Sequence, residues 1–130
     1  MNAIVWVASW QMECCGDPFG VGERVTWTID EDVDDQWFVA ALGPEMATRI
    51  THSEEHHSDR QDDLPEITGR VLAIKRAWCA YGRRNPGDQI HYPQTGSQRF
   101  IDVRESNGVE KYAFSELTFN GWIVELALEK

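Results

Sequence analysis

Each of the four longest strand-like runs in this chain carries a tryptophan, and that spacing constrains the fold more than any other feature. Ile4-Val5-Trp6-Val7-Ala8-Ser9-Trp10 is a β-branched and aromatic run. Glu23-Arg24-Val25-Thr26-Trp27-Thr28-Ile29 alternates polar and apolar, with Val25, Trp27 and Ile29 on one face. Residues 69–78, Gly69-Arg70-Val71-Leu72-Ala73-Ile74-Lys75-Arg76-Ala77-Trp78, form a third run. In the fourth, residues 121–128, Trp122, Val124, Leu126 and Leu128 share a face. A tryptophan is a large apolar surface with one N–H that needs an acceptor when buried. Runs that all carry one imply a single interior drawn from most of the chain.

The segments between these runs carry the turn signals. Cys14 to Gly20 is rich in Gly and Pro, and Phe19 and Val21, just ahead of Gly22-Glu23, are expected to plug one end of a barrel. Asp30 to Asp35 is acidic and precedes Phe38, Leu42 and Met46, which are spaced by four. Acids suit a helix start, so a short helix to Leu42 is expected, broken at Gly43, with Pro44 opening a second short turn. A strand over residues 36–42 is the competing reading. Residues 52–66 are polar and read as a loop, and residues 82–97 as a long irregular connection. Ile101 and Val103 alternate within a strand over 98–105, and Asn107-Gly108 is a hairpin signal leading to a strand over 109–114. Together these predict a mainly β (α+β) fold: a small SH3-like or OB-like β-barrel of five or six strands, with a helical insertion at about residues 34–50. At 130 residues the chain fits a single domain spanning 1–130, and 42% apolar with 26% charged residues is ordinary globular composition.

Charge is unevenly placed. Residues 1–66 hold 15 acids and 3 bases, whereas residues 67–130 hold 7 acids and 9 bases. The first half would be repelled by a duplex or an anionic membrane, so neither nucleic acid nor a membrane is the expected partner. A cationic protein, or the basic half of another copy in a homo-oligomer, suits the field. No run approaches the ~20 apolar residues of a membrane span, and the start of the chain reads as a strand, not a signal segment. Three cysteines make no disulfide framework, which points to the cytoplasm.

Residues 10–27 (Trp10-Gln11-Met12-Glu13-Cys14-Cys15-Gly16-Asp17-Pro18-Phe19-Gly20-Val21-Gly22-Glu23-Arg24-Val25-Thr26-Trp27) resemble the opening of a small uncharacterised actinobacterial family with a W-Q-x-x-C-C-G-x-P-F-x-V-G pattern. Glu54-Glu55-His56-His57 and Gly69-Arg70-Val71 are similar to it as well. The resemblance implies that the vicinal cysteines and paired histidines belong to a recurring pattern. It implies no reaction and transfers no catalytic residue. Phe19 to Val25 also resembles the turn-then-strand of SH3-like barrels, which bears on fold alone.

Four constellations could carry chemistry. Cys14, Cys15, His52, His56 and His57 are zinc-type ligands, although neither C-x-x-C nor H-E-x-x-H is present and adjacent cysteines diverge. Their plain reading is buried small hydrophobes and solvated histidines. Cys14 or Cys15 beside Gly16 could act as a thiol nucleophile with His56 or His57 as base and Asp59 orienting it. Asp30-x-Asp32-x-Asp34 begins like a calcium loop, but Asp35 stands where the turn needs Gly and Ala41 where it needs Glu. Lys75, Arg76, Trp78, Tyr81, Arg83 and Arg84 interleave bases with aromatics, as single-strand binders do. The reading that follows is a non-enzymatic binding domain with an acidic face and no obligatory cofactor. Its rival is a zinc- or thiol-dependent protein built on the cysteines and histidines.

Overall fold

A computed structural model describes residues 2–9, 18–31, 35–55, 64–106 and 114–129. In chain order its elements are β1 (Asn2–Ala8), β2 (Arg24–Asp30), α1 (Asp35–Leu42), α2 (Pro44–Ala47), β3 (His52–Glu54), β4 (Glu66–Cys79), β5 (Tyr81–Gly82), β6 (Tyr92–Pro93), β7 (Arg99–Val103) and β8 (Thr118–Leu128). The main sheet runs β2-β3-β1-β8-β4-β7, and a further β2–β4 pairing closes five of these strands into a barrel. β7 is the sixth strand, added to β4 outside the closure. β1 and β3 are parallel; the other ladders are antiparallel. The expected small β-barrel with a short helical insertion is the fold observed.

Closure depends on β4. Its residues Glu66–Arg70 pair with β2, and Ile74–Trp78 pair with β7. Its opposite edge pairs with β8. A strand serving three neighbours must bend, and the β4–β8 register shifts twice, between Val71 and Ala73 and between Ala77 and Trp78. Such irregularities raise the local twist and help a sheet close. Two glycines permit the close approaches. A Cβ on Gly69 would lie 2.7 Å from the Ala127 carbonyl oxygen. Gly121 has φ 152°, and a Cβ there would collide with the Val7 carbonyl oxygen.

The barrel interior is filled by Ala3, Val5 and Val7 of β1, Ile29 of β2, Val71 and Ile74 of β4, and Trp122, Val124 and Leu126 of β8, with Phe19. The outer face is covered where the helices cross it. There Phe38, Ala41 and Leu42 of α1, with Ala47 and Ile50, pack on Trp6, Ala77, Cys79 and Ile123. A strand covered on both faces has no solvent side, which explains the continuous apolar runs of β1 and β8. It also explains why a helix, and not a strand, occupies residues 36–42: spacing by four aims Phe38 and Leu42 at one surface. Gly43, with φ 88°, ends α1, and Pro44 opens α2, as expected.

An aromatic chain crosses the interior. Ring centroids are 5.2 Å apart for Trp27–Phe19, 5.9 Å for Phe19–Trp122, 5.0 Å for Trp122–Phe119, 5.3 Å for Phe119–Trp78 and 4.9 Å for Trp78–Phe114. These contacts are edge-to-face or tilted, the geometry favoured by ring quadrupoles. Phe19 is therefore part of the interior packing. Val103 packs against the same interior while Phe100 packs against the helix-covered face, the alternation expected of a strand.

Two expectations need correction. Residues 52–54 are not loop but β3, paired to β1 on one side and β2 on the other. Three polar residues give no apolar signal, yet the barrel needs a strand between β1 and β2 to satisfy both edges. Within 82–97, β5 and β6 form a two-residue ladder. The Asn107-Gly108 hairpin, and the strand expected over 109–114 apart from Phe114, lie outside the described residues. No helix among the described residues is long and apolar enough to cross a membrane.

Candidate functional site

Four carboxylates of the first half lie along the short β2–β3 ladder, whose strands run in opposite directions. Ile29 pairs with Glu54 and Asp30 with Ser53. The Glu55 N–H donates to the Thr28 carbonyl at 2.9 Å, extending the ladder by one residue. Along this antiparallel ladder Asp30 lies opposite Ser53 and Glu31 follows toward His52, while Glu54 and Glu55 lie opposite Ile29 and Thr28. Glu54 is buried, Asp30 and Glu55 are half-buried, and the Glu31 side chain is 73% exposed. Glu54 shares a buried face with Ile29, so the carboxylates that reach the surface of this ladder are Asp30, Glu31 and Glu55, an anionic rim of three. Asp30 is a ladder residue of β2, which does not suit the first position of a calcium loop.

His52 is the one candidate zinc ligand among the described residues. Cys14, Cys15, His56 and His57 lie outside them, as does Asp59. His52 Nδ1 is 2.7 Å from the Thr51 hydroxyl, and Nε2 is 3.7 Å from Glu31 Oε1. The Thr51 oxygen also accepts from the Ile4 N–H at 3.0 Å and is 3.1 Å from the Ile4 carbonyl. Its single proton can go to the imidazole or to the carbonyl, not both. His52 is thus tied to the β1–β3 edge through Nδ1, and only Nε2 faces the rim. No group of three or more His, Cys, Asp or Glu side chains suited to a metal is found among the described residues.

The cysteine that the structure describes lies elsewhere. Cys79, the last residue of β4, is fully buried. Asn120 Nδ2 donates to its Sγ at 3.1 Å, and the Tyr81 hydroxyl donates to Asn120 Oδ1 at 2.7 Å. Burial pushes the thiol pKa up, with the Asn120 hydrogen bond opposing it in part. Burial, then the nearby Cys79, raises Tyr81 to about 12. Neither group is set to ionise near neutrality, so this network fastens the β4 end to β8 and does not supply a nucleophile. Sequence reasoning missed it, because Cys79 and Asn120 are 41 residues apart and carry no motif.

The Lys75–Gly82 part of the candidate nucleic-acid stretch is built into the sheets, whereas Arg83 and Arg84 are exposed beyond β5. Trp78 is wholly buried, Tyr81 is bound to Asn120, and Lys75 Nζ is 2.6 Å from Asp102 Oδ1. Arg84 lies over the Tyr92 ring at 3.9 Å. Trp78 therefore has no ring face to offer a nucleic acid base. Its indole Nε1 and that of Trp122 are buried without an acceptor among the described residues. Each such donor costs about 1–3 kcal/mol when left unmade.

The model of a family of unknown function, DUF6578, matches residues 1–128. The chain belongs to that family. No curated protein and no solved structure matches the chain. The DUF6578 match spans nearly the whole barrel and assigns it no reaction. The functional reading of this DUF6578 chain therefore rests on its own residues.

Proposed function

We propose that this chain is a non-enzymatic binding domain that presents its β2–β3 rim to a cationic protein. The observation that supports this reading is the β2–β3 ladder, which holds Asp30, Glu31 and Glu55 within a few residues of one another on two adjoining segments. Clustered charge of one sign raises the encounter rate with an oppositely charged surface and disfavours like-charged partners. The same field repels nucleic acid and anionic membranes. Self-association, with the basic second half of one copy meeting the rim of another, is the second form of this reading. A cytoplasmic setting accords with the odd number of cysteines.

The test uses a lysine-rich peptide as probe and reads its affinity against salt. Asp30→Asn with Glu31→Lys should weaken binding by about tenfold or more, and rising salt should do the same. Matched changes away from the rim, Glu116→Lys with Asp88→Asn, should leave affinity within about twofold. Equal losses from both pairs would mean that net charge alone drives the interaction and would refute the rim. Sedimentation of the chain alone reads the self-associating form. The zinc alternative, resting on Cys14, Cys15, His52, His56 and His57, is decided by metal content. Stoichiometric zinc abolished by Cys14→Ser and by His56→Ala would replace the present reading.

A further inference from the structure

Along β4 the register against β8 passes from Val71–Leu126 to Ala73–Glu125, which makes Leu72 the extra residue of a bulge. Val71 and Ile74 belong to the barrel interior, so the residue gained between them turns Leu72 and Ala73 outward together. Leu72 is left 43% exposed. With Val21, Ala73 and Val103 it lines a cleft of about 530 Å³ on the outer side of β4 and β7. Bulges often re-aim a side chain toward a site, and this one aims an alkyl group into a concave surface.

The charged side chains lining the cleft are Arg49, Lys75, Asp102, Arg104 and Glu125. Lys75 Nζ is 2.6 Å from Asp102 Oδ1, and Glu125 Oε2 accepts from Asn2 Nδ2 at 3.1 Å. Arg49 and Arg104 are exposed, and neither guanidinium has a partner among the described residues. Three cations against two carboxylates leave one positive charge over. Arg49 also lines an adjoining cleft of about 510 Å³ beside α2, where Glu45 lies. The ligand that complements the Leu72 cleft therefore carries one negative charge and an apolar part. A carboxylate offers two oxygens in one plane to a planar guanidinium. A dianion exceeds the charge left over and meets Asp102 and Glu125 as like charges. The apolar walls are alkyl groups, not rings, so the apolar part is an aliphatic chain. Clefts of roughly 300–1,000 Å³ are the size that holds small ligands.

We propose that the Leu72 cleft binds a small aliphatic monocarboxylate, with Arg49 and Arg104 as its donors and Leu72, Val21 and Val103 against its chain. The cleft lies on β4 and β7, away from the β2–β3 ladder, and its sign is opposite: the rim takes cations and the cleft takes an anion.

Octanoate is the probe, with acetate as the carboxylate without a chain, 1-octanol as the uncharged chain and octylamine as its cation. Calorimetric titration and amide chemical-shift mapping are run on the full chain. The expected result is saturable octanoate binding below about 2 mM, weaker binding of 1-octanol, and none of acetate or octylamine at that concentration. The amide shifts should centre on Leu72, Ala73 and Val103. Arg49→Gln and Arg104→Gln should each weaken octanoate by about fivefold and bring its affinity toward that of 1-octanol. Leu72→Ser removes the alkyl wall and should weaken octanoate by about fivefold as well. All three side chains are exposed, so the variants should fold, and melting curves check that they do. No saturation by octanoate, or octylamine bound as tightly by the unmodified chain, would overturn the proposal whether or not any variant folds. Shifts centred away from the cleft, or unchanged octanoate affinity in both folded arginine variants, would overturn it as well.

Discussion

Replacing Gly121 by alanine is expected to be among the most damaging single-methyl additions this barrel can receive, and three glycines separate the reasons. Gly22 has φ 93° and open space where a Cβ would go, so alanine there meets only the backbone penalty. That penalty is about 1–2 kcal/mol. Gly69 carries no left-handed φ, but its Cβ would lie 2.7 Å from the Ala127 carbonyl oxygen. Alanine there meets only crowding, about 1–3 kcal/mol as β4 and β8 are pushed apart. Gly121 combines φ 152° with a collision against the Val7 carbonyl oxygen and a 3.0 Å approach to the Trp6 ring. Summed, its cost is about 2–5 kcal/mol, and the stiffer unfolded chain returns about 0.4–1 kcal/mol at each site. Against a typical stability of about 5–15 kcal/mol, Gly121→Ala removes a large share and Gly22→Ala a small one. Urea denaturation of the three variants, fitted with a common m-value, reads the order directly. The expected ranking is Gly121 above Gly69 and Gly22. A Gly121→Ala variant no less stable than Gly22→Ala would show that β1 and β8 do not approach as closely as the register requires.

The Cys79–Asn120–Tyr81 network supplies two further outcomes. Tyr81 has its pKa raised from 10.0 to about 12 in the fold. A raised folded-state pKa means that the network's contribution is complete below 10 and declines as pH rises toward 12, so alkaline stability should fall across that window and Tyr81→Phe should flatten it. Ultraviolet titration of the tyrosinates, with melting curves at each pH, checks both. Cys79 is fully buried with its thiol pKa raised, so mass-spectrometric mapping should find it unlabelled by thiol reagents in the folded chain and labelled in urea. Labelling of Cys79 under native conditions at the rate of a free thiol would contradict its placement under α1.

Much of the barrel was legible because β-branched and aromatic runs mark β1, β2, β4 and β8 without help from distant residues. The helical insertion was legible as well, through the spacing of Phe38, Leu42 and Met46 and the break at Gly43-Pro44. β3 was not, since His52, Ser53 and Glu54 are a strand only because β1 and β2 both need a partner there. The bends in β4 were hidden for a related reason: an irregular register is a property of two strands, and Leu72 or Asn120 alone announces nothing. The acidic bias was visible as a count, but the placing of Asp30, Glu31 and Glu55 along one short ladder depends on the Ile29–Glu54 register. The buried indole donors could not be read from composition, because an N–H is unsatisfied only relative to what surrounds it.

The β1–β8 ladder joins Asn2 to Ala127 and continues without a break to Ala8 and Gly121. β1 thus leaves the ribosome more than a hundred residues ahead of its longest partner, β8. At translation rates of roughly 5–20 residues per second, β1 waits on the order of ten seconds with both apolar faces uncovered. Loop closure over the residues between β1 and β8 then has to precede the reward of pairing, which slows folding relative to proteins with local contacts. Truncation before residue 121 removes the residues of β8 that β1 waits for.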